Sequence, residues 1–226
     1  MQKHMLLLIM HQRITQKNIK KLEIKHMSDP IEFYFDFSSP YAYFAAFKID
    51  ELAQGFARDV TWKPTLLGVI MKTTGNTPLA SQPVKRDYCT KDWERLGRFM
   101  DVPWTLPDPF PIATQTAARA FYWLNDRDPT GARLFAKTVF STYFGEGRDI
   151  STPETVADIA SGLAFHKDDL LEALSEGAVK QRLRDEVSAA MKAGVCGSPY
   201  FIVDGESFWG SDRLWMIKRW LQSGGW

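Results

Sequence analysis

Cysteine is almost absent. Only Cys89 and Cys196 occur in 226 residues, and they form no C-x-x-C pair. Two distant thiols exclude a disulfide-framed small fold and a zinc ribbon, and free thiols of a reducing, cytoplasmic compartment are expected. Histidine is equally sparse in the body of the chain, where His166 stands alone, so no metal constellation can be built. Long apolar runs are missing too. The longest near the start, Leu6 to Met10, falls far short of the ~20 residues that cross a bilayer. It is also short for a secretory core, and most of the positive charge follows it, so neither signal peptide nor membrane anchor is expected. Positive charge is scarce after the opening segment. The first 26 residues hold six Lys/Arg against Glu23 alone, leaving 22 basic and 26 acidic residues for the rest, about −4. An acidic body lacks the clustered cations that phosphate backbones require, which excludes a nucleic-acid partner. Residues 1–27 read as a basic extension, disordered or non-native, with Met27 as an alternative start.

What is present suits one compact fold. The chain is 45% hydrophobic and 13% aromatic, enough for a sizeable core. Residues 31–37, IEFYFDF, are β-prone and aromatic and predict a buried strand. Pro40 suits the first turn of a helix, where its missing N–H costs nothing, and helical spacing continues from Tyr41 to Ala57. Val60 to Pro64 predict a second strand, giving strand, helix, parallel strand. From about 66 to 195 the pattern is helical, at 66–72, 87–100, 112–127, 130–144, 153–164, 167–175 and 178–193. The TTGNTP loop and the proline-rich VPWTLPDPFP interrupt it. The end returns to strands at 200–204 and 207–209 around Gly205, followed by a helix over 211–221 capped by Ser211 or Asp212. The order predicts an α/β fold with a thioredoxin-like core (βαβ … ββα) built from 28–65 and 196–226. An all-helical insertion domain spans 66–195.

Three short elements carry candidate chemistry. Ser38 and Ser39 sit where the first strand meets the first helix. Free N–H groups and the positive end of the helix dipole stabilise an anion there and lower the pKa of a nearby thiol. A redox protein of this fold holds C-x-x-C at this place. Here the residues are Ser39-Pro40-Tyr41-Ala42, which disfavours dithiol chemistry and leaves Ser39 as either a plain cap or a hydrogen-bond donor to a foreign sulfur. The second element is Gly197-Ser198-Pro199-Tyr200. Pro199 is a loop residue, or a cis proline leaving the Ser198 backbone to pair with an extended ligand. The third is Trp209-Gly210-Ser211-Asp212-Arg213, either a capped helix with an exposed ion pair or a clamp for an amino-acid head group. The Gly145-Glu146-Gly147 stretch lacks the rest of a phosphate loop.

FDFSSPY, MKTTGNTP, VKRDY, GVCGSPYF and FWGSDRL, in this order, resemble the 2-hydroxychromene-2-carboxylate isomerases. They also resemble the related kappa-class glutathione transferases of the DsbA-like thioredoxin superfamily. The resemblance spans about 31–222. It implies glutathione as cofactor, with Ser39 facing its sulfur and Asn76 beside the tripeptide. Ser198, before a cis Pro199, pairs through its backbone with the cysteine unit, and Ser211 and Asp212 hold the γ-glutamyl end. Lys85 is implied near the thiol and substrate, with Tyr88 and Arg86 as its neighbours. The chain departs from the family pattern at Ser38 and Ser198, where apolar residues are common, and at Cys196, often aromatic. The expected activity is isomerisation of an aromatic carboxylate by transient thiolate addition, bond rotation and elimination, in a homodimer. Conjugation of glutathione to an electrophile is the first rival. A non-catalytic thioredoxin-like module holding a peptide at Ser198-Pro199 is the second.

Overall fold

The computed structural model describes residues 29–226, so the basic extension lies outside the described residues. Strand β1 (Ile31–Phe35) is central. It runs parallel to β2 (Val60–Pro64) and antiparallel to β3 (Tyr200–Val203), which pairs with β4 (Glu206–Trp209) in the order β2-β1-β3-β4. Asp204 and Gly205, both at positive φ, make the two-residue turn that tight hairpins demand. This is the thioredoxin-like core with a helical insert that the sequence predicts.

Alternation along β1 sorts its side chains onto two faces. Phe33 and Phe35 enter an aromatic cluster with Trp62, Phe201 and Phe37, at ring separations of 5.0 to 5.4 Å. Glu32 and Tyr34 take the other face, where Glu32 pairs with Lys63 at 2.7 Å and accepts the Tyr34 hydroxyl at 2.7 Å. Between β1 and β2 lie helices α1 (Pro40–Ala46) and α2 (Ile49–Gln54). The single helix expected over 41–57 is thus two, parted at Phe47 and Lys48, so that α2 turns Ile49 and Ala53 into the core.

The insert begins with α3 (Leu67–Thr74) and α4 (Pro83–Met100). Helix α4 starts four residues earlier than the periodicity suggests, because Pro83 occupies a first-turn position. Then come α5 (Gln115–Asn125), α6 (Pro129–Phe140), a π-helical turn over Ser141–Gly145, α7 (Pro153–Ser161), α8 (Lys167–Ser175) and α9 (Gly177–Lys192). Helix α5 begins at 115 rather than 112, and the Ile112 N–H ahead of it donates to Ser38 Oγ at 3.2 Å. Phe35 meets Phe121 of α5 and Phe140 of α6 at 6.0 and 5.6 Å, so the apolar core is continuous from sheet to insert. The last helix, α10 (Leu214–Ser223), packs Trp220 on Phe208 of β4. Among the described residues no helix is long and apolar enough to cross a membrane.

Candidate functional site

The site forms where β1, α1 and the loop before β3 converge. Ser39 is the N-cap of α1, and its Oγ accepts from the Ala42 N–H at 3.3 Å. Its own proton goes to the Ser198 carbonyl at 3.0 Å. The Ser198–Pro199 bond is cis. The Pro199 carbonyl accepts from Gly210 N–H at 3.0 Å, which fixes the turn carrying Ser211 and Asp212 beside this loop. Among the described residues the Ser198 N–H has no hydrogen-bond partner. Its carbonyl has one lone-pair direction taken. An extended ligand therefore finds a donor and an acceptor on the residue that the Ser39 hydroxyl contacts.

The two serines are divided in their tasks. Ser38 turns away from the loop: its N–H donates to Asp36 Oδ1 at 2.8 Å, and its Oγ accepts from Ile112 of the insert. Ser39, only 4% exposed, faces Ser198 instead. Helix α1 has seven residues, so its dipole is modest, and local first-turn donors supply most of any anion stabilisation. Tyr41, two residues on, donates to Asp92 Oδ2 at 3.0 Å, with Cys89 Sγ at 3.9 Å. Burial, then Cys89 and Asp92, raise its pKa well above the ordinary phenol, so it stays protonated at neutral pH.

The remaining predicted residues lie outside this knot. Asn76 follows the left-handed cap of α3 at Gly75 and is exposed, its amide donating to Thr74 Oγ1 at 3.2 Å. Lys85 and Tyr88 are exposed on α4. Lys85, Cys89 and Asp92 are spaced i, i+4, i+7 and so share one stripe of α4, the stripe that meets Tyr41. Ser211 and Asp212 form a short 3₁₀ turn entered from Gly210 at φ +113. Contrary to the sequence expectation, neither caps α10 through its side chain; Asp212 instead pairs with its neighbour Arg213 at 2.7 Å in solvent. Such an exposed pair is worth about 0–1 kcal/mol and opens readily. Both cysteines are free, and no group of metal-binding side chains forms among the described residues.

Sequence reasoning missed Asp36. Its carboxylate is buried and accepts from Ser38 N–H, from Leu67 N–H at 2.6 Å and from the Thr114 hydroxyl at 2.9 Å. Burial raises its pKa against the pull of those three donors. An acidic residue at the end of an aromatic strand is the only signal the sequence carries, because two of its three partners come from distant segments. A shallow charged depression around Asp50, Arg58, Asp59 and Arg133 lies at the opposite end of β1, away from the serines.

Gly197 allows the close approach that closes the loop. A β-carbon there would lie 2.5 Å from Trp209 Cε2 and 2.9 Å from Cζ2, inside contact distance. Gly197→Ala is expected to cost about 1–3 kcal/mol in denaturant melts. Adding Trp209→Ala should recover part of that loss, since the nearest atoms to the added carbon all belong to that ring.

The family model of the DSBA-like thioredoxin domain matches residues 30–222. The 2-hydroxychromene-2-carboxylate isomerase of Sphingobium xenophagum is 27% identical over 197 residues, covering 86% of this chain and 99% of that protein. Glutathione S-transferase kappa 1 of Rattus norvegicus is 27% identical over 211 residues, covering 84% and 92%. A solved 2-hydroxychromene-2-carboxylate isomerase matches with a TM-score of 0.79 at 25% identity, over 85% of this chain and 94% of that one.

Proposed function

The chain belongs to the DSBA-like thioredoxin domain family, and from that premise we propose that it is a glutathione-dependent isomerase. Its substrates on this reading are 2-hydroxychromene-2-carboxylate-like intermediates of aromatic degradation. One observation carries the reading: Ser39 Oγ stands 3.0 Å from the Ser198 carbonyl, beside a Ser198 N–H that has no partner among the described residues. The place that holds a dithiol in redox relatives of this fold thus offers a hydroxyl and a free backbone edge, which suit a ligand that brings its own thiol.

Glutathione, when bound, supplies a thiolate whose reversible addition to a conjugated double bond frees that bond to rotate. The chain's residues do the rest. Ser198 holds the ligand backbone through its N–H and carbonyl. A turn about the Ser39 C–O bond moves its proton from the Ser198 carbonyl to a sulfur at the helix start, while the Ala42 N–H bond to Oγ is kept. Asn76, Ser211 and Asp212 hold the ends of the tripeptide. Lys85 holds the substrate carboxylate as a fixed positive charge, with Tyr88 one residue away from Cys89 on the same helix. Tyr41 and Phe110, half-buried and packed on the buried Trp93 at 6.1 and 5.6 Å, supply the apolar wall for the substrate ring.

Relatives named as kappa transferases are as similar in sequence as those named as isomerases, so conjugation is the second reading. Calorimetry with reduced glutathione, followed by product analysis on a chromene carboxylate, separates the cases. Isomer formed with glutathione regenerated supports the proposal, and a stable conjugate assigns the transferase outcome. No measurable glutathione binding sinks both enzyme readings and leaves the peptide-holding module. Insulin reduction should be absent, since neither position of the dithiol motif holds cysteine. The proposed assembly is a homodimer, which sedimentation tests directly.

A further inference from the structure

Asp36 is the polar group that the serine site depends on and that no step above uses. It is 4% exposed, and among the described residues no Lys, Arg or His pairs with it. An uncompensated buried carboxylate is costly, so its neighbours indicate what it does. Its backbone N–H donates to Ser198 Oγ at 2.9 Å, and its carbonyl accepts from Ser39 N–H at 2.9 Å. Its side chain takes Ser38 N–H at 2.8 Å, Leu67 N–H at the start of α3, and the Thr114 hydroxyl just before α5. One residue therefore touches both site serines, the loop before β3, the helix leading to Asn76, and the residue that precedes α5 of the helical insert.

We propose that Asp36 is the positioning residue of this site, setting the Ser39 hydroxyl against Ser198 and tying that setting to the insert through Thr114. The proposal rests on the glutathione reading above. Burial accounts for the raised affinity of this carboxyl for a proton, and the three donors oppose it. Asparagine is the informative replacement. It keeps the shape and one acceptor oxygen but turns an amide donor toward a backbone N–H, Leu67 if Oδ1 is kept for Ser38 and Thr114. Thr114→Val removes one donor without adding a clash and serves where Asp36→Asn folds poorly.

The test is the pKa of the bound glutathione thiol, followed by thiolate absorbance, in wild type, Asp36→Asn, Thr114→Val and Ser39→Ala. Direction separates the causes. Loss of a nearby negative charge alone would lower the thiol pKa, whereas misplacement of Ser39 raises it toward the Ser39→Ala value. The expected result is a rise in Asp36→Asn, a smaller rise in Thr114→Val, and a kcat loss of about ten- to a hundredfold with glutathione affinity little changed. In the Ser39→Ala background the Asp36→Asn loss should vanish, as it must for a residue acting through another. A lowered or unchanged thiol pKa, or a loss that persists in full in that background, overturns the assignment. A wild-type protein that fails to lower the thiol pKa overturns the glutathione reading, and this inference with it, in a result visible before any variant is made.

Discussion

Ser39→Ala is expected to lower kcat by about two to three orders of magnitude while glutathione affinity changes only a few-fold, the usual signature of removing one preorganised donor to a reacting anion. The split follows from geometry. The ligand backbone is held by Ser198 N–H and carbonyl, which the substitution leaves in place, whereas the sulfur loses its hydroxyl partner. Alanine also removes the side-chain cap of α1, worth about 1 kcal/mol, so a modest fall in melting temperature accompanies the kinetic loss. Ser38→Ala provides the contrast. Ser38 Oγ accepts from Ile112 N–H in the insert, so its loss should weaken folding by about 1 kcal/mol and spare the thiol. Steady-state kinetics and melts on the two variants check the division of labour. Full activity in Ser39→Ala would move the role elsewhere.

Phe35→Ala should have the largest effect on stability, a loss of about 3–5 kcal/mol, because it removes a large ring that is wholly buried. That ring contacts Phe33, Phe37 and Trp62 on the sheet side and Phe121 and Phe140 in the insert. Core and insert share the deletion, so both should weaken together. Urea melts followed by near-ultraviolet and far-ultraviolet dichroism should give one coincident transition, shifted to lower denaturant. Two separated transitions would show that the insert is stable without the sheet.

The sheet was legible because its strands are short β-prone, aromatic runs and its hairpin carries Asp204-Gly205, residues suited to positive φ. The serine turn was legible for a similar reason: Ser39-Pro40 is a cap followed by a first-turn proline. Asp36 was not. Its three acceptor bonds reach residues 2, 31 and 78 positions away, and strand periodicity carries no trace of partners supplied by tertiary packing. The break between α1 and α2 was hidden because both pieces keep helical spacing and no glycine or proline separates them. The cap assigned to Ser211 or Asp212 failed on backbone geometry. Gly210 feeds a 3₁₀ turn, so helix α10 begins after Arg213 with no side chain placed to accept from its first turn. Lys85, Tyr88 and Asn76 remain exposed, and neither strand nor helix periodicity marks an exposed residue as a ligand contact.

The most direct measurement is the ultraviolet titration of reduced glutathione bound to the wild-type protein. The thiol pKa should fall clearly below the roughly 8.5 of a free cysteine, and Ser39→Ala should return it most of the way. A bound glutathione that titrates like the free thiol in both proteins would contradict the account.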